Sequence, residues 1–128
     1  MKGMTLRIEL FTSDTKRSIE FYEKVLGFKK ILSKPDYDYH NISRDNVHIG
    51  ITSAQKSIEN HYFRPELLTS RKGLGTEIVL EVDDIELIYN QVKKSGHPIH
   101  DPLTKRNWGL TDFRIVDPDG YYLRITSR

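Results

Sequence analysis

The sequence contains no cysteine and no long hydrophobic run. The absence of cysteine excludes disulfide bonds, thiolate metal sites and cysteine nucleophiles. The longest apolar runs are only a few residues, far short of the roughly 20 that a membrane-spanning helix needs. The segment Met1–Leu6 also lacks the hydrophobic stretch of a secretory signal peptide. We therefore expect a cytoplasmic protein without a membrane partner.

An excess of charge of one sign is also missing. The 20 Lys and Arg residues stand against 18 Asp and Glu, which gives a formal net charge of +2. The basic residues are scattered and interleaved with acids, whereas a nucleic-acid-binding protein gathers them on one face. The composition therefore predicts no nucleic-acid partner.

With 128 residues, 37% of them hydrophobic, the chain has enough apolar material for the core of a single domain spanning 1–128.

The first half of the chain has the pattern of one strand, one helix and three further strands. Leu6–Thr12 alternates with the period of a strand, and Ser13 or Asp14 can cap a helix that ends at Gly27. The three strands that follow are predicted at Phe28–Leu32, Tyr37–Ile42 and Val47–Thr52.

The second half repeats this order. Glu77–Val82 alternates like a strand, and an Asp-Asp pair precedes a helical pattern that ends at Gly96. Later strands are predicted at Phe113–Val116 and Tyr121–Thr126, joined by the turn sequence Asp-Pro-Asp-Gly. His97–His100 is either a short strand or a loop.

The repeated order predicts an α+β fold of two βαβββ modules. Module 1 spans about 4–54 and module 2 about 74–128. The least regular stretch, about 55–73, is predicted to be a linker with a short turn near Pro65–Leu68.

The alternation in the strands sorts their residues onto two faces. The apolar face, which needs the helices as cover, carries Ile8, Leu10, Val47, Ile49, Ile51, Ile78, Leu80, Val82, Tyr121, Leu123 and Ile125. The polar face carries Arg7, Glu9, Phe11, His48, Gly50, Thr52, Glu77, Val79, Glu81, Tyr122, Arg124 and Thr126. A polar face that also carries aromatic residues is either exposed to solvent or lines a cavity. A functional site would lie in such a cavity.

Two motifs resemble the glyoxalase/bleomycin-resistance/dioxygenase superfamily, also called vicinal oxygen chelate. The first motif is Asp14, Phe21-Tyr22 and Leu26-Gly27-Phe28; the second is Asn107-Trp108-Gly109, Asp112-Phe113 and Asp117-Pro118-Asp119-Gly120. The resemblance covers nearly the whole chain and is weakest from Ser53 to Gly73. It implies a curved mixed sheet around a concave cavity, helices on the outer face and a homodimer.

Enzymes of this family bind a divalent metal through four strand positions. The resemblance puts these positions at Arg7, Gly50 (with His48 as a nearby alternative), Glu77 and Arg124. Guanidinium offers no lone pair and glycine has no side chain, so these residues fall short of the three or four ligands that a catalytic metal needs. We therefore predict no metal and no other cofactor.

The resemblance then favours the metal-free, bleomycin-resistance-like branch, which implies sequestration of an antibiotic or metabolite rather than catalysis. The aromatic residues can stack on a planar ligand, and the arginines favour a neutral or anionic one. The predicted ligand-binding residues are Arg7, Phe11, His48, Glu77, Trp108, Phe113, Tyr122 and Arg124.

Two alternatives remain open at this point. The chain could be an enzyme of the same superfamily, with Glu77 as a general base or with His48 and Glu77 holding a metal that has other ligands. It could be a structural or regulatory module whose pocket is filled by an internal salt-bridge network of Arg7, Glu77 and Arg124. Ser-His-Asp catalysis is not predicted, because no sequence motif places a serine for it.

Overall fold

The fold is described from a computed structural model that covers residues 2–128. Within these residues the strands are β1 Ile8–Thr12, β2 Lys29–Lys34, β3 Tyr39–Arg44, β4 Val47–Ser53, β5 Glu77–Glu81, β6 Asp101–Lys105, β7 Thr111–Val116 and β8 Tyr122–Thr126. The helices are α1 Thr15–Lys24, α2 Ala54–Ser57, α3 Glu66–Thr69 and α4 Ile85–Ser95, with a 3-10 helix, η1, at Pro35–Tyr37.

The chain divides into two compact units. Unit 1 comprises 2–23 and Gly27–Ser70, and unit 2 comprises Lys24–Leu26 and Arg71–Arg128. Each unit contains one four-stranded sheet, called sheet 1 and sheet 2 below. Much of the segment predicted as a linker belongs to unit 1, where it forms α2 and α3.

Sheet 1 has the strand order β1-β4-β3-β2. β1 pairs with β4 in parallel, and the other two pairings are antiparallel. The register places Glu9 opposite Gly50 and Gly50 opposite Asn41, so these three positions share one face. The next row on the same face is Phe11, Thr52 and Tyr39.

Sheet 2 has the equivalent order β5-β8-β7-β6, again with one parallel pairing, β5 with β8, and two antiparallel ones. The prediction of an α+β fold with two similar βαβββ modules is therefore confirmed. His97–His100 is not a strand, and β6 begins at Asp101 instead. Pro102 fits within β6 because β6 is an edge strand, where a missing N–H breaks no central ladder.

The helix ends follow the predicted capping residues. The Asp14 carboxylate accepts a hydrogen bond from the Arg17 N–H at 3.0 Å, and Asp84 accepts one from the Leu87 N–H at 3.1 Å. Helix α4 stops at Gly96, whose φ of 83° is in the left-handed region that glycine adopts without strain. None of the helices in residues 2–128 is long and apolar enough to cross a membrane.

The predicted apolar face forms the core of each unit. The fully buried strand residues include Ile51 in unit 1 and Ile115, Leu123 and Ile125 in unit 2. Helix α4 covers this face of sheet 2, where its Tyr89 ring lies 4.9 Å from the ring of Phe113.

Candidate functional site

The polar face of sheet 2 brings several charged side chains together by strand register. Across β5 and β8, Glu77 lies opposite Tyr122 and Val79 lies opposite Arg124. Across β7 and β8, Arg114 also lies opposite Arg124. Directly opposed residues have Cβ atoms about 5 Å apart, so the register alone makes these side chains neighbours.

An open cleft of about 410 Å³ lies on this face of unit 2, and we call it the unit 2 cleft. Its lining residues come from β5, β8 and the turn before β7, and they are Val79, Glu81, Trp108, Leu110, Arg124 and Thr126. The walls are thus partly apolar, with one cation and one carboxylate among them. Such a mixture suits a small molecule with an apolar body and a few polar groups.

The turn between β6 and β7 presents Trp108 to the cleft. The turn is closed by a hydrogen bond from the Arg106 N–H to the Leu110 carbonyl at 2.8 Å, and Gly109 takes a φ of 96° within it. Trp108 remains 54% exposed, although tryptophan is usually well covered. Its indole is therefore available to stack on a ligand rather than being used to pack the turn.

Arg124 forms an ion pair with Glu77, with Nε 2.9 Å from Oε1. Nε itself is buried, with the Glu77 carboxylate as its charge partner. The Arg124 side chain as a whole is 28% exposed, so its guanidinium is partly accessible from the cleft that it lines.

A network of arginines and aspartates lies beside the cleft on the same face. The fully buried Asp112 carboxylate accepts hydrogen bonds from Nε of Arg106 at 3.0 Å and from Nε of Arg114 at 3.3 Å. Burial raises the pKa of Asp112, but the hydrogen bonds from the two arginines outweigh burial and hold this pKa below its ordinary value. Arg106 also contacts Asp101 at 2.9 Å. The network fixes β6 and β7 in place next to the cleft.

The polar face of unit 1 is organised around Glu9. Its Oε1 accepts hydrogen bonds from the Tyr39 hydroxyl at 2.7 Å and from Nε of Arg7 at 3.2 Å. Burial and the hydrogen bond to Glu9 raise the pKa of Tyr39 to about 12. The carboxylate lies directly over Gly50, where an added Cβ would come within 1.5 Å of Oε2. Glycine is thus required at this position for the observed arrangement.

The other two predicted site residues of unit 1 lie apart from this cluster. Phe11 is buried against Ala54 and Leu67, and its ring lies 4.7 Å from that of His61. The predicted linker therefore covers Phe11. His48 is exposed on β4.

In unit 2, Phe113 belongs to the apolar face and not to the cleft. It is fully buried, pairs with Ile125 across β7 and β8, and packs against helix α4. We therefore remove it from the candidate site. Tyr122 is on the polar face, where its hydroxyl accepts a hydrogen bond from Arg114 at 3.4 Å.

Of the predicted ligand-binding residues, Trp108 and Arg124 line the unit 2 cleft, and Glu77 contacts Arg124. Sequence reasoning left Val79, Glu81 and Thr126 out of the site although it had put them on the polar face, so strand alternation was the signal that could have found them. Leu110, in an irregular turn, gave no such signal.

The family model of the Glyoxalase/Bleomycin resistance protein/Dioxygenase superfamily matches residues 5–125. The chain belongs to this superfamily. No curated protein matches the sequence.

Solved structures share the fold over nearly the whole chain. A glyoxalase/bleomycin resistance protein/dioxygenase from Nocardioides superposes with a TM-score of 0.80 at 19% identity, covering 99% of this chain and 84% of its own. A protein from the mobile metagenome of V. Pseudocholerae has a TM-score of 0.71 at 25% identity, with 99% and 96% covered. Lactoylglutathione lyase from Agrobacterium tumefaciens has a TM-score of 0.75 at 15% identity, with 98% and 94% covered.

The residues at the four metal positions of this superfamily do not fit a divalent metal. In unit 1, Arg7 is ion-paired to Glu9, and the space over Gly50 is filled by the Glu9 carboxylate. In unit 2, Glu77 is the one potential oxygen ligand, and it is in contact with the guanidinium of Arg124. Within residues 2–128 no three His, Asp or Glu side chains are grouped so that they could hold a metal.

Proposed function

We propose that this protein binds a small planar molecule in the unit 2 cleft, without a metal ion and without transforming it. The ligand we infer carries a hydrogen-bond-accepting oxygen, as a neutral carbonyl or a carboxylate. Binding of this kind is sequestration of a metabolite or an antibiotic. We assign no catalytic role to Glu77, because its carboxylate is in contact with Arg124.

The observation that carries this proposal is that the partly exposed Arg124 side chain and the exposed Trp108 line the same cleft. A planar ligand stacked on Trp108 can direct an oxygen toward Arg124 and form a charge-assisted hydrogen bond. The glutamate in the wall, Glu81, is an acceptor for a hydroxyl or amide N–H elsewhere on the ligand. An aromatic molecule with both a hydrogen-bond acceptor and a donor can therefore pair with Arg124 and with Glu81.

Binding can be read from the intrinsic fluorescence of Trp108, since it is the one tryptophan in the sequence. We would titrate the protein with benzoate, benzamide and benzylamine, which match in size and differ in charge. Benzoate and benzamide are expected to quench the emission at lower concentration than benzylamine, because the first two present an oxygen acceptor and the last presents only donors.

Substitutions distinguish a direct contact between Arg124 and the ligand from the effect of the protein's net charge on binding. Arg124→Gln is expected to weaken benzoate binding about ten-fold or more, since a hydrogen bond to a charged group contributes roughly 1.5–3 kcal/mol. The matched control is Arg128→Gln, in the same unit, which removes an arginine that pairs with Asp83 and does not line the cleft. If the three probes bind equally, or if both variants behave like wild type, the proposal is wrong.

A further inference from the structure

The β2–β3 hairpin of unit 1 contains a chain of hydrogen bonds between a serine, a histidine and an aspartate. His40 Nδ1 lies 2.8 Å from Oγ of Ser33, and His40 Nε2 lies 2.8 Å from Oδ1 of Asp38. None of its residues lines the unit 2 cleft, belongs to the Glu9 cluster or stands at a metal position of the superfamily.

The protons of this chain can be assigned from the acceptors. Burial raises the pKa of Asp38, but hydrogen bonds from His40 and Thr15 outweigh burial, so its pKa lies below the ordinary value of 3.8 and the carboxylate is ionised. An ionised carboxylate only accepts, so the Nε2 atom of His40 carries the proton. In the neutral imidazole Nδ1 is then the lone-pair acceptor, and the Ser33 hydroxyl donates to it.

The fold holds all three groups in position. Ser33 and His40 are directly opposite one another in the β2–β3 ladder. Asp38 takes a left-handed φ of 48° at the end of η1, its carboxylate accepts a hydrogen bond from the Thr15 hydroxyl at 2.8 Å, and its carbonyl accepts one from the Ser53 N–H at 3.2 Å.

His40 is the more buried partner of its ion pair with Asp38, whose side chain is 36% exposed. The His40 side chain is 14% exposed, which shields the imidazole from water. Ser33 is half-buried on β2, which is the edge strand of sheet 1. An ester could therefore approach the serine from the sheet edge without entering the core.

We propose that Ser33 is a nucleophile that accepts an acyl group from an activated ester, with His40 as its general base and Asp38 as the group that orients the imidazole. The Ser33 Oγ forms a bond to the acyl carbon while its proton moves to Nδ1 of His40. The bond from the acyl carbon to the leaving oxygen breaks, and that oxygen takes the proton from Nδ1. A water molecule then attacks the acyl carbon while its proton moves to Nδ1 of His40. The bond from the acyl carbon to Ser33 Oγ breaks, Oγ takes the proton back, and the acyl group leaves as a carboxylic acid.

A hydrogen-bond network that only stabilises the hairpin would have the same distances but no reactive serine. The experiment must therefore measure the reactivity of Ser33 toward an ester. We would incubate the whole protein with p-nitrophenyl acetate, follow p-nitrophenolate release and locate the acetyl group by peptide mass spectrometry. One acetyl group per chain on Ser33 is expected, with a release rate above that of the reagent in buffer.

Matched variants identify the role of each group. Ser33→Ala should abolish the acetylation at this site, and His40→Gln should slow it about 100-fold, the scale of general-base catalysis. Ser43→Ala, a serine on the same hairpin, should leave it unchanged. Thermal unfolding of each variant shows whether it is folded at the assay temperature.

Two outcomes would overturn the proposal. The first is acetylation of wild type on lysines and the amino terminus without acetyl-Ser33. The second is a folded His40→Gln variant that acetylates Ser33 at the wild-type rate, since the imidazole would then have no role as base. Asp38→Asn gives an independent reading when His40→Gln does not fold, and it should slow acetylation because the asparagine amide no longer fixes the proton on Nε2.

Discussion

Substitution of Asp112 by asparagine tests the buried charge network beside the unit 2 cleft. The Asp112 side chain is fully buried, and its two oxygens lie within 3.4 Å of nitrogen atoms of Arg106 and Arg114. Asp112→Asn keeps the shape and one acceptor oxygen but removes the charge. It also places an amide N–H2 against a guanidinium, donor against donor.

The expected loss is large because the mostly buried side chains of Arg106 and Arg114 lose a charge partner, although Arg106 keeps its ion pair with Asp101. Breaking a buried ion pair by removing one partner costs roughly 3–5 kcal/mol. Asparagine retains one acceptor, so we expect the free energy of unfolding to fall by about 3 kcal/mol, at the lower end. For a chain of 128 residues this corresponds to a decrease in Tm of about 10 °C.

The measurement is urea unfolding of wild type and variant, followed by circular dichroism as a function of pH. The pKa of Asp112 is lowered in the folded state from 3.8. Its contribution to stability is therefore complete above 3.8 and is lost as the pH falls through the lowered folded-state value. The difference between the two proteins should be constant near neutral pH and shrink in acid.

A matched control is Asp83→Asn, which breaks the exposed ion pair with Arg128 in the same unit. The Asp83 side chain is 82% exposed, so its replacement should leave the unfolding midpoint nearly unchanged. The reasoning is refuted if Asp112→Asn is no less stable than Asp83→Asn, or if its deficit is the same in acid as at neutral pH.

Three further substitutions test other parts of the structure. Gly50→Ala should displace the Glu9 carboxylate from Tyr39, and the pKa of Tyr39 should fall from about 12 toward 10.0 in a spectrophotometric titration. Asp84→Ala should lower the free energy of unfolding by about 1 kcal/mol in urea, because helix α4 loses its N-terminal cap. Phe113→Ala should lower it by about 3–5 kcal/mol in the same assay, through a cavity in the core, without changing benzoate affinity.

Each of these three predictions has its own control. Gly3→Ala meets no neighbouring atom and should leave the tyrosine titration as in wild type. Asp84→Asn retains a capping oxygen and should recover most of the stability that Asp84→Ala loses. Val79→Ala lies in the cleft wall and is 40% exposed, so it should change benzoate affinity more than stability, the reverse of Phe113→Ala. If a variant and its control give the same result in their assay, the structural role assigned to the substituted residue is wrong.

The strand alternation predicted the two faces of each sheet because burial repeats with the period of the backbone. Leu123 and Ile125 are fully buried, while Arg124 between them faces the cleft, as a period of two requires. The same period assigns Phe113 to the buried face, so the prediction of Phe113 as a ligand-binding residue is not supported by its position. Its pairing with Ile125 assigns it to the core.

The hydrogen-bond partners could not be predicted in the same way, because they depend on register and side-chain rotamers. The sequence supplies Ser33, Asp38 and His40 within one short segment but does not show that a 3-10 helix turns Asp38 back toward the imidazole. The alternative of a salt-bridge network of Arg7, Glu77 and Arg124 agrees with the structure for Glu77 and Arg124, whereas Arg7 pairs with Glu9.

In each unit an arginine at a metal position of the superfamily forms an ion pair with a carboxylate. Unit 1 has Arg7 with Glu9, and unit 2 has Arg124 with Glu77. A guanidinium supplies the positive charge that a carboxylate needs, but through N–H donors instead of empty coordination positions. It can therefore hold an oxygen atom of a ligand and orient it, whereas it cannot lower the pKa of a water molecule as a bound metal does. For this reason we propose binding, and not metal-assisted activation of water, as the function of the unit 2 cleft.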